Sequence, residues 1–175
     1  MQKQSKLTFA PITIILAKKP MTREIILILP DIRSCWNVGA MFRTADGLGV
    51  SKVYLAGYTP APPNPRIAKV ALGAETWLPW EQAPDLNSLL TKLKQEGWQI
   101  VALEKTAAST DISQTSFGAK VALLVGNEVE GVPADSQALA DNIVHIPMLG
   151  LKGSLNVAIA TSIALYQIRH GLQTN

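Results

Sequence analysis

The sequence predicts an α/β domain with a mostly parallel sheet and helices on both faces. Short, wholly apolar runs rich in β-branched residues alternate with longer segments whose apolar residues recur at three-and-four spacing. The first strand, helix, strand unit occupies about thirty residues, the size of a parallel crossover connection. At 175 residues, 47% of them hydrophobic and 17% charged, the chain can build one core and is excluded from the disordered class.

Ile25-Ile26-Leu27-Ile28-Leu29, closed by Pro30, reads as a strand buried on both faces. From Asn37 to Leu48 the residues Val38, Met41, Phe42, Ala45 and Leu48 share one face, and Gly47 and Gly49 end the segment, which predicts a helix. Lys52 to Gly57 supplies the second strand. Pro60, Pro62, Pro63 and Pro65 exclude regular structure from residues 58 to 66, leaving a rigid connector or a binding arm. Asp85 to Glu96 predicts a surface helix, with Asp85 as cap, Leu86, Leu89, Leu90 and Leu93 on one face, and Gly97 at its end. Gln99 to Leu103 and Lys120 to Val125 are further buried strands. Asp135 to Ala140 gives one or two helical turns, Ile143 to Ile146 a last strand, and Ser154 to Arg169 a final apolar helix capped by Ser154.

Lys+Arg number 16 against 13 Asp+Glu, a net charge of +3 that admits an anionic partner without naming one. The single cysteine, Cys35, excludes an internal disulfide and a cysteine-only metal site, which points to the cytoplasm. With two histidines and no carboxylate spacing around them, no metal is expected. Ile12 to Ala17, the longest apolar run near the start, falls short of the roughly 20 residues of a membrane span, so no membrane is expected. Lys18, Lys19 and Pro20 stand where a signal-peptide cleavage site would be. Residues 1–22 are expected to be a tail, flexible or an extra edge strand, with residues 23–175 forming the domain.

Ligands of parallel sheets sit beyond the carboxyl ends of the strands, so the polar segments that follow strands are where function is sought. The first is Asn37-Val38-Gly39 with Arg43-Thr44-Ala45. Gly39 would let another chain or a ligand come close, one turn from Arg43. The plain alternative is that Arg43 pairs with Asp46 on a solvated face and Asn37 is only a helix cap. The second is Val125-Gly126-Asn127-Glu128 with Gly131, a strand running into a compact loop of backbone N–H groups. Val132 and Pro133 replace the Lys and Ser/Thr of a phosphate loop, and the chain carries no G-x-G-x-x-G after a strand, so NTPase and dinucleotide readings fall. The third is Ile146-Pro147-Met148 followed by Ser154-Leu155-Asn156-Val157. Asn156, in the first turn of an apolar helix, is an amide that needs partners if buried.

Cys35 adjoins neither His145 nor His170 in sequence, which disfavours a nucleophile. His145, between apolar neighbours, reads as a structural histidine. Trp77 and Trp80 read as core anchors in preference to a base-stacking surface.

Together and in this order, the three segments resemble the motifs of the SpoU (TrmH-like) family of RNA 2′-O-ribose methyltransferases, of the SPOUT class. The resemblance spans most of residues 25 to 170. It implies S-adenosylmethionine as methyl donor, a C-terminal trefoil knot, and a homodimer with active sites at its interface. It also implies roles. Arg43 would be the catalytic arginine, with Asn37, Glu128, Ser154 and Asn156 as the other polar residues of the active site. Leu103, Gly126, Asn127, Ile146, Met148 and Leu155 would hold the donor. The implied function is methylation of a ribose 2′-hydroxyl in tRNA or rRNA, with tRNA favoured, and the alternative is a catalytically silent, RNA-binding knotted dimer. RNA capture would fall to the dimer surface, with Lys3, Lys6, Lys18, Lys19, Arg33, Arg66 and Lys69 as candidates.

Overall fold

The unbroken apolar run at residues 25–29 can be buried only where both faces of a strand are covered, and it sits near the middle of a sheet. The structure, a computed structural model, describes residues 23–171; the predicted tail at 1–22 lies outside the described residues. In chain order the elements are β1 (Glu24–Pro30), α1 (Cys35–Gly47), β2 (Lys52–Ala56), α2 (Pro65–Ala71), α3 (Ala74–Trp77), β3 (Trp80–Ala83) and α4 (Leu86–Gln95). Then come β4 (Gln99–Leu103), β5 (Thr110–Asp111), a short 3-10 turn (Ile112–Gln114), β6 (Lys120–Val125), α5 (Ala134–Leu139), β7 (Asn142–His145) and α6 (Val157–His170).

The seven strands form one sheet in the order β3-β2-β1-β6-β4-β7-β5, and every pairing is parallel. Alternation along β1 divides two cores. Ile25, Leu27 and Leu29 join Met41, Phe42, Ile67, Leu165 and Ile168 on the side covered by α1, α2 and α6. Ile26 and Ile28 join Leu89, Leu90 and Leu93 of α4 on the other. β4 lies between β6 and β7, so the chain leaving β6 passes the end of β4 before it enters the sheet again.

Several local expectations are corrected. Helix α1 begins at Cys35, not Asn37, because the Ser34 side chain accepts from the Asn37 backbone N–H; Asn37 is not the cap, and its side chain is free for other work. The 58–66 segment is not irregular to its end: Asn64 caps α2 and Pro65 opens it, where a missing N–H costs the helix nothing. Helices α2 and α3 and strands β3 and β5 were not expected, being short and weakly patterned. The last helix starts at Val157, not Ser154, because the Asn156 side chain accepts from the Ala158 and Ile159 amides and caps it. Asn156 is therefore an exposed cap and not a buried amide. Trp80 packs against the core as expected, whereas Trp77 is 60% exposed and its indole N–H donates to Asp46 at 2.9 Å.

Candidate active site

Six-residue strands such as β6 end at the sheet edge, and the residues that follow them must find hydrogen bonds in loops. After β6, Gly126-Asn127 turns back on Gly131: the Asn127 and Gly131 backbones exchange two N–H···O bonds of 3.2 Å, and the Asn127 side chain accepts from the Val129 and Glu130 amides. The turn has no room for a side chain at its base. A Cβ on Gly126 would lie 2.7 Å from the Gly131 backbone, and one on Gly131, whose φ is +71°, would lie 2.2 Å from Glu104 Oε2. Glu104, just past β4, accepts from the Val132 amide at 2.8 Å and so ties the Gly131 turn to the neighbouring strand.

These loops and the segment before α6 enclose a cavity of about 370 Å³, within the size range of small-ligand sites. Its wall contains the predicted donor residues Leu103, Gly126, Asn127, Ile146, Met148 and Leu155, and also Glu128, Ser154 and Asn156. Glu104 and His145 line it as well, and sequence reasoning missed both. The available signal for Glu104 was a carboxylate directly after a strand, at the edge where ligands bind. His145 reaches the wall while its Nδ1 lies 3.0 Å from the Ser109 hydroxyl, so it is satisfied and at the cavity together.

Asn37 is not in the wall but joins its two sides. Its Nδ2 donates to Glu128 Oε1 at 2.8 Å, and its Oδ1 accepts from Asn156 Nδ2 at 3.2 Å. The Arg33 backbone N–H donates to Glu128 Oε2 at 3.2 Å. A polar chain thus runs from the cap of α6 across the first turn of α1 to the β6 loop. Burial alone would raise the Glu128 carboxyl; donation from Asn37 and from backbone amides outweighs it and holds the group below its ordinary value.

Arg43 stands apart from this chain. It is exposed on α1, six residues from Asn37 and so about 240° round the helix. It does not pair with Asp46, whose carboxylate takes the Trp77 indole instead. Gly39 faces α2 of its own chain and not a ligand: a Cβ there would lie 2.6 Å from the Ile67 carbonyl oxygen. The half-buried Cys35 thiol accepts from Asn64 Nδ2 at 3.6 Å. Among the described residues, no three His, Cys, Asp or Glu side chains gather where they could hold a metal ion, and no helix is long and apolar enough to cross a membrane.

A fully parallel α/β sheet whose last strands open into a glycine turn and a capped helix around one cavity defines a small-ligand domain with a polar rim. The model of the SpoU rRNA Methylase family matches residues 24–166, and the chain belongs to that family. It is 30% identical over 151 residues to the tRNA (guanosine(18)-2′-O)-methyltransferase of Escherichia coli strain K12, a match covering 82% of this chain and 65% of that protein. It is 32% identical over 143 residues to a 23S rRNA (guanosine-2′-O-)-methyltransferase of Vibrio vulnificus, covering 82% of this chain and 58% of that one. Among solved structures it superposes on the AdoMet-bound rRNA methyltransferase from Sinorhizobium meliloti with a TM-score of 0.80 and 32% identity, covering 86% of this chain and 57% of that one. The chain thus spans less than two thirds of the length of each of these relatives.

Proposed function

We propose that the protein transfers a methyl group from S-adenosylmethionine to a ribose 2′-hydroxyl of tRNA or rRNA, with tRNA favoured, and that it does so as a cytoplasmic homodimer. The observation that carries this reading is the cavity in which the Gly126 turn, Ile146 and Leu155 meet Ser154 and Asn156. Its residues fit the donor. Leu103, Ile146, Met148 and Leu155 offer an apolar surface for adenine and a thioether, and the Gly126 turn offers backbone groups. When bound, the donor supplies an electrophilic methyl group on a sulfonium.

What the chain must do is hold the 2′-hydroxyl at the cavity mouth and stabilise the charge its oxygen gains as the proton leaves. Ser154 and Asn156 position the ribose, and Asn37 and Glu128 fix Asn156 through the polar chain described above. Arg43 holds a phosphate and stabilises the developing oxyanion. Because it is exposed and does not line the cavity of its own subunit, it serves an RNA that lies across two subunits. An apolar face supports that assembly: Ile159, Ile163 and Tyr166 of α6 are exposed together with Leu155, and Leu149 and Leu151 beside them are 100% and 107% exposed. The implied knot belongs to the same reading, supported by the passage of the chain from β6 past β4 to β7.

The test is incubation of purified protein with labelled donor and either total tRNA or rRNA. Transfer is expected with the unaltered chain and a loss of at least about 100-fold with Arg43→Ala, with donor affinity retained. Donor binding without transfer to any RNA would instead mark a silent RNA-binding relative.

A further inference from the structure

The loops after β1 and β2 lie side by side, because the two strands pair in parallel with Pro30 opposite Ala56. Their backbones are tightly held. Asp31 Oδ1 accepts from the Tyr58 N–H at 3.0 Å, and the Thr59 hydroxyl donates to the Leu29 carbonyl at 2.7 Å while accepting from the Ile32 N–H at 3.0 Å. Gly57, with φ +60°, leaves no space at all: a Cβ would lie 2.0 Å from Asp31 Oδ1. Yet the ring that this fixed backbone carries, Tyr58, is 59% exposed, and the core makes no use of it. Arg33 Nε reaches its hydroxyl at a long 3.5 Å.

One helical turn away, Trp36 is 48% exposed at the start of α1, with the Lys69 ammonium 5.7 Å from its ring centroid. The Tyr58–Arg33 pair is tied to the cavity wall through the Arg33 backbone N–H on Glu128, and Trp36 stands next in the chain to Asn37, whose side chain donates to the same carboxylate. Exposed rings held beside cations suit an unpaired nucleotide, whose base stacks and whose phosphate is neutralised. A duplex would offer its base faces to neither ring.

We propose that Tyr58 and Trp36, with Arg33 and Lys69, form a stacking shelf for an unpaired nucleotide next to the ribose that is methylated. The shelf rests on the RNA methyltransferase reading and adds to it the structural class of substrate, a single-stranded loop or end. The held backbone matters here, since a ring carried on it loses less freedom when a base settles on it than one on a loose loop.

Filter binding of total tRNA tests it, alongside calorimetry with the donor and sedimentation. Tyr58→Ala and Trp36→Ala are each expected to weaken tRNA binding by about ten-fold, and Tyr58→Phe by no more than about two-fold, with donor affinity and oligomeric state unchanged. Unaltered tRNA affinity in both alanine variants overturns the shelf. So does a loss confined to Arg33→Ala and Lys69→Ala, which would leave only charge, or a change of oligomeric state in Trp36→Ala, which would assign that ring to contact between copies. If the unaltered protein binds tRNA with these effects but transfers no methyl group, the shelf stands and the catalytic reading falls. If it binds no RNA, both fall.

Discussion

Replacing Gly126 by alanine tests the architecture of the cavity at its tightest point. The added Cβ would sit 2.7 Å from both Cα and C of Gly131 and 2.9 Å from the Val132 nitrogen. Ordinary contact begins at 3.4 Å, and all three neighbours are backbone, so no side chain can swing aside. The Gly131 strand of the turn must shift by about 0.7 Å, which opens the paired Asn127 and Gly131 hydrogen bonds and pulls on the Glu104 anchor at Val132. Overpacking against backbone costs about 1–3 kcal/mol. Two strained, partly solvated hydrogen bonds lie within that same range, so the net loss of stability is about 2 kcal/mol. For a chain of this size that lowers the Tm by roughly 4–8 °C. Because Gly126 and Gly131 line the cavity proposed to hold the donor, donor affinity measured by titration calorimetry should fall by about ten-fold or more, with the stoichiometry retained in the folded fraction. A variant whose Tm and donor affinity both match the parent would refute the reasoning.

Gly39→Ala, by contrast, should cost stability with little direct effect on the cavity, since its Cβ meets the Ile67 carbonyl at 2.6 Å between α1 and α2; an unfolding free energy lowered by about 1–3 kcal/mol in denaturant titration is expected, with donor affinity in the folded protein unchanged. Glu128 is held below its ordinary carboxyl value, so its contribution is complete above that value and disappears as pH falls through the lowered one; Glu128→Gln should show a stability deficit that is flat above about pH 6 and narrows below about pH 4.5 in thermal melts. A deficit that widened on acidification would contradict the hydrogen-bond assignment. Ile163→Glu places a charge in the exposed apolar face of α6 and should yield a monomer in sedimentation equilibrium at micromolar concentration.

Much of this was legible in the chain because the buried strands are long enough to show a pattern. After a polar first residue (Glu24, Gln99 and Lys120) the β1, β4 and β6 strands are apolar to their ends, and a parallel sheet covered on both faces is what such strands suit. The two-residue β5 and the four-residue α3 offer too few positions for any period to appear, and β3, Trp80–Ala83, carries two exposed polar residues. Helix starts went astray where two capping residues compete: Ser154 and Asn156 both suit an N-cap, and the side chain that reaches two amides wins. The wall of the cavity was readable from motifs in order, since loops at the carboxyl ends of parallel strands converge whatever their separation in sequence. The bond from Asn37 to Asn156, across 119 positions of chain, was not readable from spacing. Nor was the absence of Arg43 from the cavity wall, which depends on where α1 starts as well as on its own neighbours.

The position of β7 between β4 and β5 also ties two earlier strands to one that follows them by some distance in the chain. β5 pairs with β7 and no other strand, and the Glu104 N–H that follows β4 donates to Val144 within it. The Glu104 N–H and strand β5 therefore find their sheet partners only in a segment that lies later in the chain. The cavity is walled by both stretches, and a molecule bound there to the folded form alone favours the state in which these distant parts of the chain are held together.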